Sequence, residues 1–229
     1  MSQISACLNK VKKPCYRFIS TQEISSEKFK NKDKMLRSFL KPVCFWMAKK
    51  VKKNNTMIVG FSGGQGTGKT TISSIIKIIL EKYFKLNVFK ISIDDFYKTR
   101  KERIILSKKV HPLLKTRGVP GTHDIDMMLN LFRKVKAKKL KSLSLPKFDK
   151  SIDDRCKKKL WYKLKFRPDV VILEGWCVGA KAQNNTKLKK PINSLERVKD
   201  RNLIWRKYVN TQLKTNYKKL FNYLDEIIL

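Results

Sequence analysis

The sequence predicts an α/β fold in which helices flank a central parallel sheet, and three stretches carry that prediction. Met57 to Phe61 is an apolar run that leads into a glycine-rich turn and then into a helix-compatible series of Ile72, Ile75, Ile76, Ile79 and Leu80. Val88 to Ile93 follows as a second apolar strand, so strand, helix, strand reads as a right-handed βαβ unit. Asp169 to Gly175, DVVILEG, sets four consecutive apolar residues between Pro168 and the Glu174-Gly175 pair, the pattern of a strand covered on both faces.

The turn after the first strand fits G-x-x-x-x-G-K-[ST] at Gly63, Gly68, Lys69 and Thr70, which narrows the expectation to a three-layer fold of the P-loop NTPase type. Glycines let consecutive backbone N–H groups turn inward around a polyphosphate, and the helix that follows aims its positive end at the same anion. Lys69 supplies a cation for the β and γ phosphates, and the Thr70 hydroxyl is spaced to hold Mg²⁺.

A chain of 229 residues, 41% hydrophobic, can bury the core of one such domain. No apolar run approaches the roughly 18 to 20 residues needed to cross a bilayer, so no membrane partner is expected. Five widely spaced cysteines, none in a C-x-x-C pair, argue against a disulfide framework or zinc site and for a reducing, cytoplasmic setting. The formal charge of +36, from 54 Lys plus Arg against 18 Asp plus Glu, raises the question of nucleic acid. The lysines, however, are spread over every segment rather than gathered on one face. A dedicated nucleic-acid partner is therefore not expected, beyond weak, salt-sensitive binding to polyanions.

In chain order, residues 1–32 mix basic and polar types without clear period and are expected to form a loose basic arm ahead of a phosphate-loop domain at 33–229. Asp33 to Lys52 carries Leu36, Val43, Phe45, Trp46 and Met47 at helical spacing, with a kink or boundary at Pro42. The phosphate-loop helix should end near Tyr83 or Phe84. The second strand delivers Asp94 and Asp95 to the carboxyl edge of the sheet, where the phosphate loop also lies. His111 to Asp126 is broken by Pro112, Gly118, Pro120 and Gly121 and reads as a long functional loop with Arg117, His123 and Asp124. Asp124 can also cap the helix whose face is Met127, Met128, Leu131, Phe132 and Val135. Leu145 to Arg155 reads as a polar loop, Leu160 to Phe166 as a short strand or hairpin arm, and Cys177 to Asn193 as a mobile flap. Glu174, at the end of the buried strand, is the second acid on the metal side. Leu203 to Leu224 keeps helical spacing, and Asp225 to Leu229 opens a last strand.

The blocks GFSGGQGTGKTT, SIDDFY, RGVPGTHD, LPKFDKS, VVILEGW, INSLE, WRKYVNTQL and LFNYLDEIIL resemble the D-glycerate 3-kinase family of P-loop kinases, itself related to phosphoribulokinase, uridine kinase and bacterial pantothenate kinase. The likeness covers residues 35–229. It implies ATP-dependent phosphorylation of a small hydroxy acid, D-glycerate to 3-phosphoglycerate, with ATP and Mg²⁺. On that likeness the ATP phosphates rest on Gly63, Gly64, Gln65, Gly66, Thr67, Gly68, Lys69, Thr70 and Thr71. Asp94 matches the acid that takes the proton from the attacking hydroxyl, and Glu174 stands near Mg²⁺, with Lys69, Asp94 and Glu174 as the catalytic set and Thr70, Asp94 and Glu174 as the metal set. The likeness further implies that Arg117, His123, Asp124, Lys147, Asp149 and Arg155 face the acceptor. Alternatives are a kinase for uridine, pantothenate or a phosphorylated sugar, or a nucleotide binder without activity. Family members usually continue past LDEIIL, so the expectation is a domain shortened at its C-terminus and lacking part of the base contact.

Overall fold

The computed structural model describes residues 3–24, 26, 28–137, 140 and 142–229, with side chains at all of these except 4 and 39–41. Four strands form the main sheet: β1 (Met57–Ser62), β2 (Val88–Ser92), β7 (Val170–Gly175) and β8 (Glu226–Ile228). They run parallel in the order β2-β7-β1-β8. Between β2 and β7 the chain makes two antiparallel ribbons, β3 (Leu143–Leu145) with β6 (Tyr162–Leu164), and β4 (Phe148–Asp149) with β5 (Asp154–Arg155). The stretch expected to be a polar loop at Leu145 to Arg155 is thus largely ribbon. Its short pairs depend on partners far along the chain, which a local pattern does not reveal.

Period-two alternation sorts the strands' side chains between two cores. Met57, Val59, Phe61, Val88, Val170 and Ile172 face one layer, while Ile58, Ile91, Val171 and Leu173 face the other. The first layer holds helix α1 (Gln3–Ser20), α2 (Lys32–Phe39), α3 (Phe45–Lys50) and α4 (Lys69–Lys82). Helix α1 corrects the loose arm expected for the N-terminus. Cys7, Leu8, Val11, Cys15 and Ile19 form a buried stripe along it, although Pro14 sits inside the helix. Cysteine behaves here as a small hydrophobe. Burial pushes the Cys7 thiol up to about 11 and Cys15 up to about 12, so both stay protonated members of the core. At Pro42 the expected kink is a π-helical turn, Leu40–Cys44, joining α2 to α3, a usual way to absorb a missing donor.

The second layer holds α6 (Ile125–Lys136), capped by Asp124, whose carboxylate accepts from Met127 N at 3.1 Å, while α5 (Arg100–Lys109) packs on the 3₁₀ turn Pro112–Lys115. The polar stretch after β7 includes short helices α7 (Asn185–Leu188) and α8 (Ser194–Lys199), and Asn210 holds Gln183 through both its side-chain oxygen and nitrogen. The mobile flap expected over Cys177 to Asn193 is therefore tied down, with Leu188 buried. The long helical pattern near the C-terminus divides into α9 (Ile204–Gln212), a π turn and α10 (Lys218–Phe221) before β8.

Candidate active site

The turn between β1 and α4 takes its shape from two left-handed glycines, Gly66 and Gly68, each at φ +77°, a conformation other residues rarely adopt. Thr67 Oγ1 donates to Gly64 O at 2.9 Å, and Lys69 Nζ reaches the same carbonyl at 2.5 Å. No side chain caps α4, so its first N–H groups and dipole face the turn, an arrangement suited to phosphate.

Glu174 sits near the tip of the central strand, opposite Phe61 of β1 and Ser92 of β2 in the ladder. Its Oε1 accepts from Thr70 Oγ1 at 3.2 Å and its Oε2 from Ser73 Oγ at 2.7 Å, while Lys90 Nζ stands 3.5 Å away. Gly175 beside it is obligatory for packing, because a Cβ there would lie 2.4 Å from Ile93 Cγ2. Lys90 went unflagged in the sequence. Its signal was a charged residue in the middle of an otherwise apolar strand, VFKIS, where a buried charge needs a partner. Burial lowers its pKa, and Glu174 opposes that shift.

Asp94 lies in the 3₁₀ turn Ile93–Phe96 directly after β2, and its amide donates to Ser92 Oγ at 3.2 Å. Lys150 Nζ, from the turn of the β4–β5 ribbon, donates to Asp94 Oδ2 at 2.6 Å. Burial, and then the neighbouring Asp94, raise the Tyr97 hydroxyl above its ordinary value. Asp95 is more enclosed, and burial pushes its carboxyl up to about 6. Gln65, Gly66, Lys69, Thr70, Asp94, Lys150 and Glu174 together line one cleft of about 520 Å³. The phosphate turn and both expected acids therefore share a cavity. A larger hollow of about 680 Å³ beside α10 and β8 is lined by Lys181, Lys214 and Lys218 and carries no acid.

A second cleft of about 620 Å³ shares Gln65, Asp94, Tyr97 and Lys150 with the first and adds Arg100, Lys115, Arg117 and Asp153. The six residues expected to face the acceptor divide here. Arg117 lines this cleft, ion-paired to Asp153 and with its guanidinium 5.7 Å from the Phe148 ring centre. His123 does not face either cleft. It is 1% exposed, stacked on Tyr97 with ring centres 4.3 Å apart, and its Nδ1 lies 2.5 Å from Tyr217 Oη. Burial pushes its pKa down to about 3, so the ring is neutral. Asp124 caps α6 and pairs with Arg155 at 3.3 Å, and Arg155 also holds the Tyr97 carbonyl at 2.9 Å. These three brace Tyr97 from behind. Asp149 turns the ribbon by accepting from Ser151 N and Oγ at 2.9 and 2.6 Å, which also lowers its pKa, and Lys147 is exposed outside both clefts. Arg103, unflagged in the sequence, is fully buried and fixes this region through the carbonyls of Lys98, Lys115 and Asp153.

A parallel sheet with a glycine turn and an uncapped helix after β1, and acids at the tips of β2 and β7, has the architecture of a P-loop kinase. No family model matches the chain. It is 32% identical over 179 residues to the uncharacterized kinase mug58 of Schizosaccharomyces pombe, a match covering 75% of this chain and 63% of that one. It is 30% identical over 193 residues to the chloroplastic D-glycerate 3-kinase of Arabidopsis thaliana, covering 74% and 42%. The solved D-glycerate 3-kinase from Cryptococcus neoformans superposes with a TM-score of 0.67 at 25% identity, covering 80% of this chain and 69% of that one. The relatives and structural neighbours of the chain thus include D-glycerate 3-kinases, and the chain spans less than two thirds of the length of these two curated relatives.

Proposed function

We propose that the protein is an ATP-dependent kinase that transfers the γ-phosphate to a hydroxyl of a small hydroxy acid, D-glycerate in the first instance. The observation that carries this reading is the meeting of Lys69, Thr70, Asp94 and Glu174 on one cleft. The turn 63–71 holds the ATP phosphates, with Lys69 along the β and γ groups. Asp94 takes the proton of the attacking hydroxyl from the side shared with the second cleft. Arg100, Lys115 and Arg117 on that side suit an acceptor with a carboxylate better than a neutral nucleoside. The free thiols accord with a cytoplasmic setting.

The residues fit Mg²⁺. Thr70 Oγ1 and Glu174 Oε1, hard oxygen donors 3.2 Å apart, border the phosphate turn, and Asp94 lines the same cleft. When bound, the ion neutralises phosphate charge. Ser73 and Lys90 orient Glu174, and the protein's own contribution is otherwise placement and charge.

The test is purified protein with Mg-ATP across glycerate, uridine, ribulose 5-phosphate and pantothenate. Transfer to glycerate is expected. Transfer only to another acceptor would reassign the substrate, and bound ATP with no acceptor phosphorylated would leave a nucleotide-binding protein without kinase activity.

A further inference from the structure

We propose that Lys150 is a further catalytic residue, a mobile cation that pairs with Asp94 at rest and moves onto the transferring phosphoryl oxygens during reaction. The inference rests on the kinase reading above. Four residues border both clefts, Gln65, Asp94, Tyr97 and Lys150, and Lys150 is the cation among them. Its ammonium thus stands at the boundary that the phosphoryl group crosses.

Of the other cations, Arg100 and Lys115 border the second cleft alone, and the rest are committed elsewhere. Lys69 bonds to Gly64 in the phosphate turn, Lys90 is enclosed by Thr70, Ser74 and Glu174, and Arg103 and Arg117 hold Asp153. Lys150 by contrast has a fixed base and a free head. Its turn is clamped at one end by Asp149 accepting from Ser151, and at the other by Asp153 between Arg103 and Arg117. The side chain itself is 60% exposed and makes a single ion pair. An exposed pair of this kind is weakly held, so the four-carbon stem can re-aim the ammonium without moving backbone.

The chemistry supplies the target. As the acceptor oxygen bonds to the γ-phosphorus and the bond from that phosphorus to the β-bridging oxygen breaks, the hydroxyl proton passes to Asp94 and ADP leaves. The charge in transit is carried by the phosphoryl oxygens at the boundary of the two clefts, where the Lys150 ammonium lies.

The experiment compares wild type, Lys150→Met and Lys150→Arg in two ways. The first is steady-state kinetics with the best acceptor. The expected result for Lys150→Met is a kcat lower by roughly 10²-fold, the usual size for loss of one charge-stabilising group, with ADP affinity unchanged and part of the loss restored in Lys150→Arg. The second is binding of ADP with aluminium fluoride, which mimics the phosphoryl group in transfer and needs no acceptor. Wild type should bind the mimic more tightly than ADP alone, and Lys150→Met should lose that gain. An unchanged kcat, a loss confined to the acceptor KM, or an undiminished preference for the fluoride complex would each overturn the proposal. A wild type that phosphorylates nothing would defeat the kinase reading instead, and the fluoride comparison would still decide Lys150.

Discussion

The phosphate side and the acceptor side of this site are built on opposite plans. On the phosphate side a single turn between β1 and α4 provides glycines, cation and hydroxyl within nine residues, and one acid arrives on the neighbouring strand. Its geometry follows from short-range rules: left-handed glycines, an uncapped helix start and strand register. On the acceptor side, the 3₁₀ turn after β2, the loop at 111–126 and the β4–β5 ribbon each give one or two groups. The buried Arg103 and His123 and the half-buried Arg155 hold these pieces together. The comparison teaches that the first half tolerates change in the scaffold, whereas the second is only as well formed as its braces.

Lys69→Ala gives the largest effect expected and strikes the local half. ATP affinity measured by titration should collapse together with turnover, since the cation for the phosphates is gone. Asp94→Asn lies on the seam. Turnover should fall by about 10²- to 10⁴-fold, as for removal of a general base, with ATP affinity largely kept, and unchanged turnover would remove Asp94 from that role. Arg103→Met sharpens the contrast. Loss of a buried guanidinium that satisfies three carbonyls should cost about 3 kcal/mol in denaturant unfolding, and lower kcat/KM for the acceptor more than nucleotide affinity. Equal losses for both substrates would mean that the halves are not separately supported.

His123 offers a gentler probe of the same bracing. Its folded-state pKa of about 3 lies below the ordinary 6.5, so the folded protein binds fewer protons than the unfolded chain between these values. Its contribution to stability is therefore full above pH 6.5 and is lost as pH falls towards 3. Replacing it by Asn should flatten the acid side of the stability curve between pH 6.5 and 4, read by thermal unfolding at each pH. An unchanged slope would show that the ring is not held neutral. The smallest effect belongs to Asp149→Asn, which should leave kcat within experimental scatter because the amide oxygen can still accept from Ser151 and keep the turn under Lys150.

Much of the architecture was legible beforehand for a physical reason. Strands buried on both faces, such as VVILEG, and a glycine turn before an apolar helix leave patterns within a dozen residues. Helix α1 did not, because two positions of its buried stripe are cysteines and a proline interrupts it. The β4–β5 ribbon escaped notice because strands of two residues have no period to read, whereas the alternation of Leu160 to Phe166 did announce β6.

The sequence by itself determined the phosphate turn, its strand and helix, and the two acids at strand ends, because contiguous residues under backbone and periodicity rules dictate them. Only the tertiary structure decided which polar residues of the loops line a cleft and which sit behind its wall. His123, Asp124 and Arg155 look as reactive in the sequence as Arg117 and Lys150, which line the clefts. What separates them is burial and partnership, across 31 residues of chain for Asp124 with Arg155 and 94 for His123 with Tyr217, and those depend on how distant segments pack, which no local pattern of residues encodes.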